Sequence, residues 1–245
     1  MRVGVAGGTG MVGRPVVAEL AKAGHEPVVL ARSEGVDLTS GAGLAERIAG
    51  CDAIIDVTNR LTTSRAKSTA FFTQVTGNLL TAAKEAGIGH LIVLSIVGVD
   101  RVGYGYYRGK RAQEKLLESG GVPWTVLRAT QFFEFPELLL AHRFPIAAMP
   151  KMLSQPVAAT DVATALVDLV EAGPSGYATP VAGPERLQMV DMARRIERAR
   201  GSRRPVLPIP VPGKVGRQLA GGDLVPDGDY VPGKRTFDEY LAGLR

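Results

Sequence analysis

One cysteine and three histidines in 245 residues leave little for disulfide or transition-metal chemistry. Cys51 has no partner within the chain, and His25, His90 and His142 stand apart, with no second His or Cys at ligand spacing. No zinc or iron site is therefore expected. Cys51 opens an apolar run and reads as a small buried hydrophobe. His25 follows the predicted end of a helix and reads as a helix-terminus residue. Also lacking are an apolar run long enough to cross a bilayer and a charged-apolar leader before the first strand, so a cytoplasmic protein with no membrane partner is expected. Acidic residues fall short of basic ones, giving a net charge of +5. Much of the excess lies in Arg194, Arg195, Arg198, Arg200, Arg203 and Arg204, at a predicted helix end and the loop after it. Aromatics do not interleave with these arginines, so solvent and the helix dipole are their expected partners, not nucleic acid.

What the chain does have is a core-forming composition, 45% hydrophobic, and a distinctive first turn. The strand-like run Arg2 to Ala6 enters Gly7-Gly8-Thr9-Gly10-Met11-Val12-Gly13, and a helical pattern follows in Val12, Val16, Val17, Leu20 and Ala21. A buried strand, a tight glycine turn and a helix start aim free backbone N–H groups at one point, which suits a dinucleotide pyrophosphate. Gly7 and Gly8 permit the turn, Gly10 lets backbone approach phosphate, and Gly13 lets helix and strand pack closely. A second apolar run, Pro27 to Ala31, arrives where a parallel neighbour belongs.

From Met1 to about Arg128 apolar runs alternate with helical patterns, as in a parallel sheet covered on both faces. Strands are expected at 2–6, 27–31, 36–38, 53–57, 90–95 and 123–128, and helices near 11–23, 42–49, 66–86 and 106–119. Beyond Arg128 the pattern breaks, with prolines at 136, 145, 150 and 156. Asp161 is the expected N-cap of the next helix, and another is expected near 187–199. Pro205 to Pro212 must be extended, confined to an edge or a strap, and Thr236 to Leu244 suggests a short docked helix. The division expected is a nucleotide-binding domain over 1–130 and, over 131–245, a small substrate-binding cap interleaved with the end of the sheet, the whole a single compact unit.

Candidate site residues follow from position. Arg32 and Ser33 stand where an acidic residue would grip an unphosphorylated ribose, so a 2′-phosphate is favoured and NADP(H) is preferred to NAD(H). Asp37 and Leu38 suit the adenine amino group and ring face, although Asp37 equally suits a turn start. Thr58 and Asn59 end a strand on the binding edge and suit ribose contacts, and Arg60 faces either substrate or water. Tyr106 and Lys110 are four apart at a helix start, hence on one face. A nearby ammonium would lower the phenol's pKa and prepare it to protonate a carbonyl oxygen as hydride arrives, while the lysine also holds ribose hydroxyls. Tyr107 is the competing acid. Phe132, Phe133, Phe135 and Leu138 to Leu140 either line an apolar substrate mouth or pack the cap.

Together with Ser95, Arg128-Ala129-Thr130-Gln131-Phe132 and Val157-Ala158-Ala159-Thr160-Asp161-Val162-Ala163, these residues make a chain that resembles the atypical short-chain dehydrogenase/reductases. More narrowly it is similar to the NmrA-like NAD(P)H-binding proteins. The resemblance implies an α/β fold, a Rossmann-type doubly wound parallel sheet with a small C-terminal substrate-binding lobe, and commonly NADP(H). It maps Gly7, Thr9, Gly10, Met11, Val12 and Arg32 onto the phosphate sites, Asp37 and Leu38 onto the adenine site, and Tyr106 with Lys110 onto the catalytic pair. Active relatives offer Ser or Thr shortly after Ser95, where Ile96-Val97-Gly98 stand here, so Ser95 is at most a substrate orienter. The activity expected is hydride transfer between NADP(H) and a small, partly apolar carbonyl, quinone or enone. A non-catalytic redox-sensing regulator and an epimerase or dehydratase are the alternatives.

Overall fold

The computed structural model describes residues 1–142 and 144–244. The chain forms two compact units that interleave in sequence: residues 1–95, 104–128 and 162–179 make the first, and 96–103, 129–161 and 180–245 the second.

The first unit alternates strand and helix in the expected order. Its elements are β1 (Arg2–Ala6), α1 (Gly13–Lys22), β2 (Glu26–Leu30), α2 (Leu44–Arg47), β3 (Ala53–Asp56), α3 (Arg65–Glu85), β4 (His90–Ile96), α4 (Gly105–Glu118) and β5 (Trp124–Ala129), the last residues of β4 and β5 passing into the second unit. The strands lie in the order β5-β4-β3-β1-β2. β1 pairs in parallel with β2 and β3, and β3 with β4. β3 is buried throughout and β4 at every residue but Ile96, which is why both read as solid apolar runs. In α3, Phe72, Val75, Leu79 and Ala83 form the buried stripe, and Ser64 caps the helix by accepting from the Lys67 N–H. The later return of the chain adds Gly176–Tyr177, parallel to β5.

Three expectations need correction. No strand forms at 36–38: Arg32–Glu34 make a single 3₁₀ turn and Asp37 only bridges Ala42. The reason is local, because the Asp37 carboxylate accepts from both the N–H and the hydroxyl of Thr39 and turns the chain. The second helix is four residues long, not eight. Asp161 is not an N-cap, since its helix begins at Ala159; its Oδ2 instead accepts the N–H groups of Lys234 and Arg235.

The second unit is built of short pieces. Val206–Ile209 pairs in parallel with Ala147–Pro150, so the proline-rich stretch is extended in a two-stranded sheet. Met189–Ala199 is its longest helix lying wholly inside the unit. Arginines in this helix and after it tie the unit together: Arg195, within the helix, pairs with Asp238, and Arg204, beyond it, donates to Glu197 and to the carbonyls of Leu140 and His142. Phe133, Phe237 and Tyr240 pack ring on ring, and Thr236 with Glu239 forms a capping box on the last helix. Phe133 and Leu140 are therefore core, whereas Leu138 is half exposed.

Candidate functional site

The turn after β1 is shaped by side chains that are missing. Gly7 has φ +82°, and a Cβ on Gly13 would stand 2.1 Å from the Gly7 carbonyl oxygen. Within the turn Gly7 N–H donates to Leu30 O, Gly8 to Val5 O and Gly10 to Gly7 O. Arg14 Nε braces Thr9 O at 2.9 Å. Thr9, Gly10 and Met11 face outward while Val12 is buried, and the first turn of α1 carries no acidic residue. First-turn amides have no partner inside their helix and carry the positive end of its dipole. The cradle fits a diphosphate.

Beside it, Arg32 extends from the 3₁₀ turn after β2 with its side chain 78% exposed and Nε 3.7 Å from Asp37 Oδ2. Ser33 is exposed next to it. Hydrogen bonds from Thr39, more than the charge of Arg32, hold the Asp37 carboxyl below the usual carboxylate range. Leu38 packs against the core, and its carbonyl accepts from Asn78. A cavity of about 420 Å³ opens here, with Arg32, Thr39, Arg60, Lys67 and Phe71 among its walls.

At the carboxyl end of β3, Thr58 N–H donates to the buried Asp56 carboxylate at 2.8 Å. The Thr58 hydroxyl is buried without a protein partner. Asn59 is exposed and its Oδ1 accepts the Tyr106 hydroxyl at 2.8 Å. The Tyr106 ring packs on Phe72 and Tyr107, and burial pushes its hydroxyl above the usual phenol range. That direction is opposite to the one expected from a neighbouring ammonium. Lys110 explains the difference: it is 4% exposed, donates to Leu94 O at 2.8 Å and Gln113 Oε1 at 2.9 Å, and lies 4.4 Å from the Phe72 ring centroid. Burial pulls its pKa down to about 8 against the opposing pull of Asp56. Gln113 in turn donates to Asp56 at 2.8 Å and Thr76 at 3.1 Å. Tyr106 and Lys110 share a helix turn and both touch Phe72, yet their hydrogen bonds run to different partners.

Ser95 is 2% exposed and spends its proton on Glu114 Oε1 at 2.6 Å. Glu114, fully buried, also receives Arg111 at 2.7 Å and a two-pronged bond from Arg128 at 2.9 and 2.8 Å. This cluster removes Ser95 as a donor to substrate oxygen. Tyr107 is buried, with its hydroxyl likewise pushed up. Sequence reading missed Asp56, Gln113 and Glu114, because Lys110-Arg111-Ala112-Gln113-Glu114-Lys115 looks like a solvated helix face. In the second unit, Gln131 is 8% exposed and both polar atoms of its carboxamide are buried without a protein partner, as is Glu134 Oε2. Burial raises the Glu134 pKa. Among the described residues no helix is long and apolar enough to cross a membrane, and no cluster of His, Cys, Asp and Glu could hold a metal ion.

A parallel α/β sheet with a glycine turn at the carboxyl end of its first strand defines a Rossmann-type dinucleotide-binding protein. The family model described as NAD(P)H-binding matches residues 7–172, and the chain belongs to that family. It is 30% identical over 217 residues to the (4-alkanoyl-5-oxo-2,5-dihydrofuran-3-yl)methyl phosphate reductase of Streptomyces griseus subsp. griseus, covering 80% of this chain and 73% of that one. Its fold is shared with an NADPH-dependent quinone oxidoreductase of Escherichia coli solved with NADPH, at TM-score 0.72, 20% identity and 99% of each chain. It is shared also with UDP-glucose 4-epimerase of Bifidobacterium longum solved with NAD+ and UDP, at TM-score 0.77, 14% identity, 100% of this chain and 97% of that one.

Proposed function

We propose that the protein is an NADP(H)-dependent reductase acting on a small carbonyl, quinone or enone. The observation that carries this reading is the Tyr106–Asn59 bond: a half-buried phenol, kept protonated by its surroundings and held by an acceptor beside the end of β3, in the same unit as the glycine cradle. The reductase relative, whose named substrate carries an oxo-dihydrofuran ring and an alkanoyl group, supports the substrate class.

When bound, the coenzyme supplies a hydride from nicotinamide C4. The backbone from Gly7 through Val12 holds the diphosphate, and Arg32 with Ser33 holds the 2′-phosphate. Leu38 gives the adenine an apolar wall, and Asp37 fixes the turn that presents it. Thr58 and Asn59 offer a hydroxyl and an amide to ribose. Tyr106 Oη is the proton donor to the developing oxyanion: Asn59 Oδ1, on an exposed side chain, holds the hydroxyl proton until a substrate oxygen takes its place as acceptor. Lys110 does not relay that proton, since its hydrogen bonds are taken by Leu94 and Gln113. Its charge, two contacts away through Phe72, favours the phenolate left behind.

The test is NADPH consumption against alkanoyl-dihydrofuranones, quinones and aldehydes. Tyr106→Phe should lower kcat on the order of 10²–10⁴-fold while the coenzyme Kd stays within about twofold. Binding of NADPH with no turnover on any of these compounds would overturn the reading, as would a Tyr106→Phe enzyme of full activity.

A further inference from the structure

We propose that Arg60 and Lys67 complete, with Arg32, a seat for the phosphomonoester on the adenosine ribose, so that coenzyme choice is made from the start of α3 as well as from the end of β2. The inference rests on the NADP(H) reading above and adds two selecting residues to it.

Three separate segments of the first unit converge on the 420 Å³ cavity: the turn carrying Arg32, the stretch after β3 carrying Arg60, and the first turns of α3 carrying Lys67 and Phe71. Lys67 and Phe71 are four residues apart and so lie on one face of the helix. The volume is within the range of small-ligand sites. Three cations line it, with the hydroxyls of Thr39 and Ser40, and no lining residue is a carboxylate. Exposed lysines and arginines ordinarily spread into water, where like charges separate. Here Arg60 is held instead, its guanidinium 5.8 Å from the Phe71 ring centroid.

The chemistry of the two coenzymes separates on this lining. A free ribose diol asks for an acceptor, usually a carboxylate. Asp37 is the nearby carboxylate, but its Oδ1 is taken by Thr39 and its Oδ2 faces Arg32. A phosphomonoester asks for cations, and each cation gives it a charge-assisted bond; the hydroxyls of Thr39 and Ser40 already donate to Asp37, so the cations carry the recognition. Arg32 carries one opposite charge beside it at 3.7 Å, so Arg60 and Lys67 supply the positive excess that a dianion requires. Phe71 forms an apolar floor against which a purine can stack.

Calorimetric titration of the full-length chain tests this with four named ligands: NADPH, NADH, 2′,5′-ADP and 5′-AMP. Wild type should bind NADPH and 2′,5′-ADP more tightly than NADH and 5′-AMP. Arg60→Ala and Lys67→Ala should each weaken the two phosphorylated ligands about 5- to 30-fold, with the other two within twofold, while Lys67→Arg keeps the preference. Thermal melts of the variants check that the fold is intact. Equal losses for phosphorylated and unphosphorylated ligands would overturn the assignment, since they mean an adenine contact alone. If Arg32→Ala abolishes the preference and the other variants keep it, only the present inference falls. If wild type shows no preference, the NADP(H) reading falls and takes this inference with it.

Discussion

At the scale of single residues, the decisive feature is space. A methyl group on Gly13 would overlap the Gly7 carbonyl at 2.1 Å and the Gly8 Cα at 2.6 Å. Backbone atoms cannot swing aside as a flexible side chain does, so Gly13→Ala must push α1 away from the turn. We expect a loss of about 1–3 kcal/mol in stability and a larger loss of coenzyme affinity, measured by urea unfolding and by titration with NADPH. His90 gives a second prediction. It is buried, bonded through Nε2 to Thr125 at 2.8 Å, and desolvation pulls its pKa from 6.5 to about 4. The unfolded chain therefore binds a proton between pH 6.5 and 4 that the folded one refuses. The stability this residue contributes is whole above 6.5 and declines as pH falls through that window. His90→Gln should flatten the acid limb of a stability–pH profile there; a limb unchanged in slope would show that other groups set it. Gly13 was readable from spacing alone, whereas His90 was not, because a neutral histidine in a strand looks the same in sequence as a charged one on a surface.

At the scale of elements, α4 is where sequence and structure part. Its start was predicted within a residue, and its apolar spacing is ordinary. Yet the helix buries Lys110, Gln113 and Glu114, and these polar groups hold it to the sheet through Leu94, Asp56 and Ser95. It approaches α3 closely because a side chain is missing: a Cβ on Gly109 would lie 2.1 Å from Ser68 Oγ. Gln113 sits between a buried carboxylate and a buried ammonium, donating to one and accepting from the other. Replacing it by leucine leaves both without that neutral partner, and we expect a cost of about 2–4 kcal/mol, read by chemical denaturation, with Gln113→Glu less damaging to Lys110 than to Asp56. A leucine variant as stable as wild type would show that Asp56 and Lys110 satisfy each other directly. The strand expected at 36–38 failed for a related reason. Three residues of strand-like composition do not outweigh a side-chain hydrogen bond made two positions further on.

At the scale of the whole molecule, the chain crosses between its units more than once. Residues 162–179 belong to the first unit although they follow Arg128 by more than thirty positions. They bring Gly176–Tyr177 beside β5, and they bring the Tyr177 hydroxyl to Arg111 at 2.9 Å and to Glu118. A fragment ending at residue 130 lacks that strand and leaves the β5 edge open, and we expect it to aggregate where the full chain folds cooperatively. Size-exclusion chromatography of the two checks this; a monomeric, folded 1–130 fragment would refute it. For the full chain, NADPH at about one hundred times its Kd should add about 2.7 kcal/mol of stability by mass action, about 5–10 °C in Tm for a protein of this size.

The alternation of strand and helix in the first half and the glycine turn were determined by the sequence alone, because hydrophobic period and the absence of a side chain act over a few residues. The positions of Arg32, Thr58, Asn59 and Tyr106 followed from the ends of those elements. What only the tertiary structure decided is which polar groups meet. Tyr106 finds Asn59, Lys110 finds Gln113 and Ser95 finds Glu114, and the 162–179 segment returns to the first sheet. Apart from the Lys110–Gln113 pair, which one helix turn brings together, each of these depends on distances set by packing between parts remote in the chain, and burial, which fixes the strength of such pairs, is a property of the folded whole.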